Sequence, residues 1–243
     1  MFREAILTFL TASALSQPVA AHSFQTPSNN PATESKPTPA WQTAIVARHN
    51  ELVQTNGPGT DTALRDRLLK MGSEDQAVRG FANGRQVSGT TREMIQKMPQ
   101  TDARLTAELQ EIVKTSGWPT IALVGIEASN AAMLILTHST DHTWQRQLLP
   151  QLQQLADTGK IDGSSLALAI DKELVAEGKL QRYGSQFKFI NGAMAMFAVE
   201  DPATLDQRRA KVLLPPMDVY KEQLSQIYHL KATDDVVMAP TPK

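Results

Sequence analysis

The chain has 243 residues, with 24 basic against 25 acidic side chains, 5% aromatics and no cysteine. That length suits one domain of ordinary size with a real core. Balanced charge and few aromatics argue against a nucleic-acid surface, and the lack of cysteine removes disulfides, thiolate nucleophiles and cysteine metal sites.

Residues 1–21 read as a signal peptide. Arg3 supplies the positive charge, Ala5 to Leu15 a short apolar stretch, and Val19-Ala20-Ala21 the small residues of a cleavage site. The stretch is too short to span a bilayer, so the expectation is export to the periplasm or beyond, with no membrane attachment after cleavage. Residues 22–40 are Pro, Ser, Thr and Asn with little to bury, a disordered linker. Residues 232–243 read as a flexible tail, which leaves 41–231 as a single helical domain.

Trp41, Ile45, Leu52 and Val53 have helical spacing and stop before the breaker NGPG. Asp61 is placed to cap a helix carrying Leu64, Leu68, Leu69 and Met71. A Gly-rich loop over 82–90 lacks the phosphate-loop pattern. Thr90 with Glu93 predicts a capping box for a short helix ending near Pro99, and Leu105, Leu109, Ile112 and Val113 mark a separate helix closed by Gly117. Glu127 to Thr137 is apolar nearly all round, hence a central buried helix. Ser139, Thr140 or Asp141 caps the next helix, with a break or kink expected at Pro150. Asp162 caps the one after, which Gly178 closes. Asn191-Gly192 signals a two-residue hairpin turn. Asp201-Pro202 opens a charged helix, and Met217 onward forms the last. The predicted class is mainly α: a compact multi-helix domain with one β-hairpin near the C-terminal third.

Six pieces in order resemble one uncharacterised bacterial family, known only as a domain of unknown function. They are DQAVR (75–79), GWPTIALVG (117–125), the apolar helix ending in His138, an Asp within the next long helix, YGSQ (183–186) and VEDPATLDQRRAKVLLPP (199–216). Together they cover about Leu68 to Tyr220. The chain departs from the family pattern at Thr137, where Gln is usual, and at Ser139-Thr140-Asp141, where Ala-Asp and a further acidic residue are usual. The resemblance implies no reaction.

Two polar residues stand out against apolar surroundings. Glu127, Ala131, Leu134 and His138 share a helix face, so His138 either meets a backbone carbonyl at the helix end or serves as base or ligand. Asp171 lies among Leu168, Leu174 and Val175, where an ionised carboxylate needs a partner such as Arg79, Arg182 or Tyr183. His138 and His142 are four apart, but the break between them and the absence of a HExxH glutamate argue against a metal. Ser129 lacks a nucleophile elbow. Met194 and Met196, alternating with alanines, read as the packed face of the hairpin.

Two function classes follow. The first is an acid–base, hydrolase-like enzyme or small-molecule site. In it His138 and Asp171 handle the proton, and Asp75, Gln76, Arg79, Trp118, Tyr183 and Gln186 hold the ligand, with no metal and no cofactor. The second is a non-catalytic binding or interaction module whose polar residues are core hydrogen-bond partners. Convergence of these residues in one open cleft favours the first; separate pairing favours the second. The partner in either case is an unidentified small molecule or protein.

Overall fold

The computed structural model describes residues 6–7, 38–82, 85–87 and 91–240. The predicted leader and linker therefore lie outside the described residues, except for Ile6–Leu7 and 38–40. In chain order the elements are β1 (Ile6–Leu7), α1 (Ala40–Asn56), α2 (Thr62–Ala77), β2 (Phe81–Ala82), β3 (Arg85–Gln86), α3 (Arg92–Ser116), α4 (Ile121–Val124), α5 (Ile126–His138), α6 (His142–Asp157) and α7 (Gly163–Ala176). They continue with β4 (Phe187–Ile190), β5 (Ala193–Phe197), a 3-10 turn (Pro202–Thr204), α8 (Leu205–Lys211), α9 (Met217–Tyr228) and β6 (Lys231–Val237). No helix among the described residues is long and apolar enough to cross a membrane.

The central helix is α5, with eleven of its thirteen residues buried. Its lack of a polar stripe follows from partners on several sides: α2, α3 and α7 all pack on it. Gly72 lets α2 come close, since a Cβ there would sit 2.9 Å from the Ala131 Cβ. Leu68, Leu105, Leu109, Met133, Leu136 and Leu152 fill the main core between these helices. Each such side chain contributes about 1.5–3 kcal/mol by leaving water. The turn into α2 locks onto the turn into α5: the Thr60 and Asp61 amides both donate to the Leu123 carbonyl, at 2.9 and 2.8 Å.

Three aspartates start helices as their positions predict. Asp61 accepts from the Leu64 amide, Asp141 from Trp144 and Asp162 from Ser164. The cap of α3 is Thr91, which accepts from the Met94 amide, rather than Thr90 with Glu93. Pro99 does not end a helix there: α3 runs through it for 25 residues. Pro99 is exposed, and the buried stripe Leu105, Thr106, Leu109 and Ile112 holds the helix to the core below it. Pro150 likewise sits inside α6 on its exposed side.

The hairpin turns at Asn191-Gly192, both left-handed at φ 51° and 78°, and pairs Ile190 with Ala193. Met194 and Met196 point to one face and are buried with Phe187, Val199, Leu205, Tyr220 and Leu224 in a second core under α9. The hairpin belongs to a four-stranded mixed sheet in the order β1-β4-β5-β6. Residues 232–237, expected at the start of a loose tail, lie in β6, which runs parallel to β5. The pairing partner is some forty residues upstream in the register Ala193 with Lys231, so local composition does not reveal it.

Candidate functional site

His138 ends α5, and its ring meets the C-terminal part of α2. His138 Nδ1 lies 2.7 and 2.9 Å from the two carboxylate oxygens of Asp75. Asp75 also accepts from Gln76 Nε2 at 3.0 Å and from Arg79 at 3.1 Å. Arg79 then reaches Asp102 on α3 at 2.7 Å. Asp75 and Arg79 fall on one side of α2 because they are one turn apart. From α7, the Lys172 ammonium donates to the Thr137 carbonyl and, at 3.4 Å, to that of Ser139, the two carbonyls flanking His138.

The electrostatics fix the protonation pattern. Burial pushes the His138 imidazolium below its usual range; Asp75 pulls the other way, and Arg79 reinforces burial. Burial alone would raise the Asp75 carboxyl, but His138, Arg79 and Gln76 together hold it below the usual carboxylate range. A neutral imidazole facing a carboxylate must donate its Nδ1 proton, so its lone pair is on Nε2. His138 Nε2 is buried without a hydrogen-bond partner among the described residues. Burial also lowers the Lys172 ammonium to about 8, against the pull of Glu173 and Asp102.

Asp171 does not meet His138. Adjacent residues on a helix point about 100° apart, so α7 sends Lys172 toward the His138 ring and Asp171 toward the segment 182–185. There the fully buried Asp171 carboxylate accepts three backbone amides: Arg182 at 2.7 Å, Tyr183 at 2.9 Å and Ser185 at 2.9 Å. Burial lifts this carboxyl above its usual range while the three amides oppose the shift. On the other side of the same segment Arg209, fully buried, donates to the Tyr183 carbonyl at 2.6 Å and to the Pro215 carbonyl at 2.7 Å. Its guanidinium stacks 4.6 Å above the Tyr220 ring. The Tyr183 N–H is thus held by a carboxylate and its C=O by a guanidinium.

The candidate residues therefore divide into two networks. Asp75, Gln76, Arg79 and His138 come together. Asp171, Tyr183 and Gln186 form the second group. Gln186 donates to Ser185 Oγ, and its amide donates to Gln181 Oε1. Trp118 joins neither: it is 4% exposed and packs in the main core. His142 turns away from His138 to Glu173, 2.6 Å from Nδ1, and Arg146 donates to the same carboxylate at 3.2 Å. No cluster of three or more His, Asp or Glu side chains with metal-holding geometry occurs among the described residues. Sequence reading missed Asp102, Lys172, Gln181 and Arg209. Arg209 stood in the quoted 199–216 motif. Lys172 followed Asp171 directly. Nothing local pointed to Asp102 or Gln181.

These features define a class: a mainly helical domain with a buried Asp–His pair on one side of its seventh helix and a backbone-gripping acid on the other. Over residues 62–233 the chain matches the family of unknown function DUF6624, and it belongs to that family. No curated protein and no solved structure matches it.

Proposed function

We propose that the domain is an acid–base enzyme of hydrolytic type whose working group is His138. One observation carries this reading: the His138 ring is oriented through Nδ1 by Asp75, while Nε2 is left as a buried, unpartnered acceptor. In that role Nε2 takes a proton from water or a hydroxyl as it attacks an electrophilic centre. Asp75 stabilises the imidazolium that forms, and the proton then passes to the leaving group. Arg79 holds Asp75 in place from the side. Lys172, poised near pH 8, supplies positive charge beside the ring. The competing reading, a non-catalytic interaction module, draws support from the division of the candidates into two separate networks and from the burial of His138, which is 5% exposed. The Asp171 carboxylate spends its bonds on the backbone amides of 182–185 and on the Ser185 side chain, which is what a structural clasp does.

Diethylpyrocarbonate labelling of the native protein separates the two readings. Reaction at His138 Nε2 in the folded protein, slower than at the exposed His229, is the expected result. Against a panel of nitrophenyl esters and phosphate monoesters, His138→Gln should lose about 100-fold or more of any turnover. A native His138 that stays unlabelled while His229 reacts, with no turnover on the panel, would sink the enzyme reading.

The same proposal places the protein in the periplasm or outside the cell. The support is the layout of Arg3, the apolar Ala5–Leu15 stretch and Val19-Ala20-Ala21. N-terminal sequencing of the chain from its native host should begin at His22, a cleavage that removes β1 and leaves β4, β5 and β6 of the sheet. A chain that begins at Met1 there refutes export by this route.

A further inference from the structure

A second set of chemistry-bearing groups faces open space away from the Asp75–His138 pair. A cleft of about 370 Å³ is walled by α1, the α6–α7 junction, α7 and the end of α8, and none of Asp75, Arg79 or His138 lines it. That volume is in the range of pockets that hold small molecules. Leu52, Leu166 and Ile170 are among its lining residues, the first two almost fully buried and Ile170 partly exposed. Its lining carries both signs of charge, including Arg48, which pairs with Glu51 at 2.9 Å. Asp157 and Asp162 stand at the α6–α7 junction, each with one oxygen committed, to Gln153 and Ser164 respectively. Lys211 stands at the end of α8 and makes no ion pair among the described residues.

The backbone beside Lys211 adds a second observation. Leu213 is left-handed, at φ 58°, where the chain turns out of α8. The Leu213 and Leu214 amides return to the Ala210 and Arg209 carbonyls, the closing bonds of a helix terminus that usually carries glycine. Leucine is strained there because its Cβ crowds the backbone. Its side chain lines the cleft. A strained residue kept where glycine would be easier, with its side chain on a pocket wall, is the pattern of a site retained at the expense of stability.

We propose that this cleft binds a small amphipathic zwitterion, with the chemistry of a short peptide of apolar residues. Asp157 and Asp162 take the ammonium end through their uncommitted oxygens. Lys211 takes the carboxylate end across the cleft. Ile170 and Leu213, both partly exposed, cover the apolar body between them. A simple anion would meet the carboxylates of Asp157 and Asp162, and a simple amine would meet Arg48 and Lys211.

Isothermal titration of the full chain with the dipeptide L-leucyl-L-leucine tests this. Saturable one-to-one binding is expected. About a tenfold or greater loss of affinity should follow from Lys211→Ala, from N-acetylation of the dipeptide, or from amidation of its carboxylate, since each removes one charged hydrogen bond. Leu213→Gly should raise the melting temperature and weaken binding. The proposal is overturned by the absence of saturable heat at millimolar dipeptide. It is equally overturned by unchanged affinity in Lys211→Ala, in Leu213→Gly or for the acetylated dipeptide. None of these variants touches the His138 ring, so failure here leaves the acid–base reading where it stood.

Discussion

Asp171→Ala is expected to cost about 3–5 kcal/mol of unfolding free energy, the range for breaking a buried charged cluster by removing one member. The alanine leaves the amides of Arg182, Tyr183 and Ser185 without their acceptor. It also deprives the Arg209 guanidinium, buried on the far side of the same segment, of one of the two carboxylates that balance it, Asp206 being the other. Domains of this size are stable by only about 5–15 kcal/mol in total, so the loss is a large share. Asp171→Asn should fall between alanine and the parent. Its carbonyl can still serve the Arg182 and Tyr183 amides, which both meet Oδ1, but its amide group then confronts the Ser185 N–H. Urea midpoints at constant slope give the numbers. A cost below about 1 kcal/mol for the alanine variant, the worth of one ordinary hydrogen bond, would show that the segment does not depend on Asp171.

The second large effect is acid sensitivity centred on Asp75 and His138. Folding lowers the His138 pKa below 6.5, so as pH falls through that value the unfolded chain takes up the proton first. The stability tied to the neutral ring is fully present above about 6.5 and is lost as pH falls toward the folded value. Asp75 is also lowered, from 3.8, so its share is present above that pH and is lost in stronger acid. The unfolding free energy should therefore decline in two steps, one beginning near pH 6.5 and one near 3.8. His138→Gln should remove the first step. Asp75→Ala should remove the second and cost about 3 kcal/mol or more at pH 7.5, because Arg79 and the ring lose their shared acceptor. Equal urea midpoints for the parent at pH 7.5 and pH 5, with His138→Gln showing the same profile, would mean that the ring is not held neutral by the fold.

The helices were legible where local rules decide. Spacing of apolar residues placed α1, α2 and the core-facing half of α3, an unbroken apolar run placed α5, aspartates placed the starts of α2 and α7 and, as one of three candidates, that of α6, and Asn191-Gly192 placed the hairpin. The β2–β3 pair at the start of the Gly-rich loop went unread, and two further elements escaped because long-range contacts overruled local signals. Pro99 is a breaker by itself, but the buried stripe from Leu105 to Ile112 carries α3 through it. The segment Lys231–Val237 carries Lys231, Asp234 and Asp235 and is strand only because β5 lies beside it. The site was half legible for the same reason. An apolar helix ending in His138 shows that an imidazole is buried, and Asp171 on an apolar face shows that it needs donors. Neither pattern names a partner: the one for His138 lies 63 residues away, and those for Asp171 are main-chain amides, which any residue type supplies. The pairing of Asp171 with His138 was therefore a guess between two buried groups that face different neighbours.

The placement of Asp171 and Lys172 on neighbouring positions of α7 limits how this chain can vary in length. Inserting one residue between Asp162 and Asp171 would turn both side chains by about 100° and shift them by about 1.5 Å. The acid would leave the amides of 182–185 and the amine would leave the carbonyls beside His138 in the same event. No compensating move is open, because the cap at Asp162 fixes one end of the helix and each network fixes the other. Insertions and deletions should therefore be tolerated in the turns around α7 but not within it, where helix phase acts as a ruler shared by both networks.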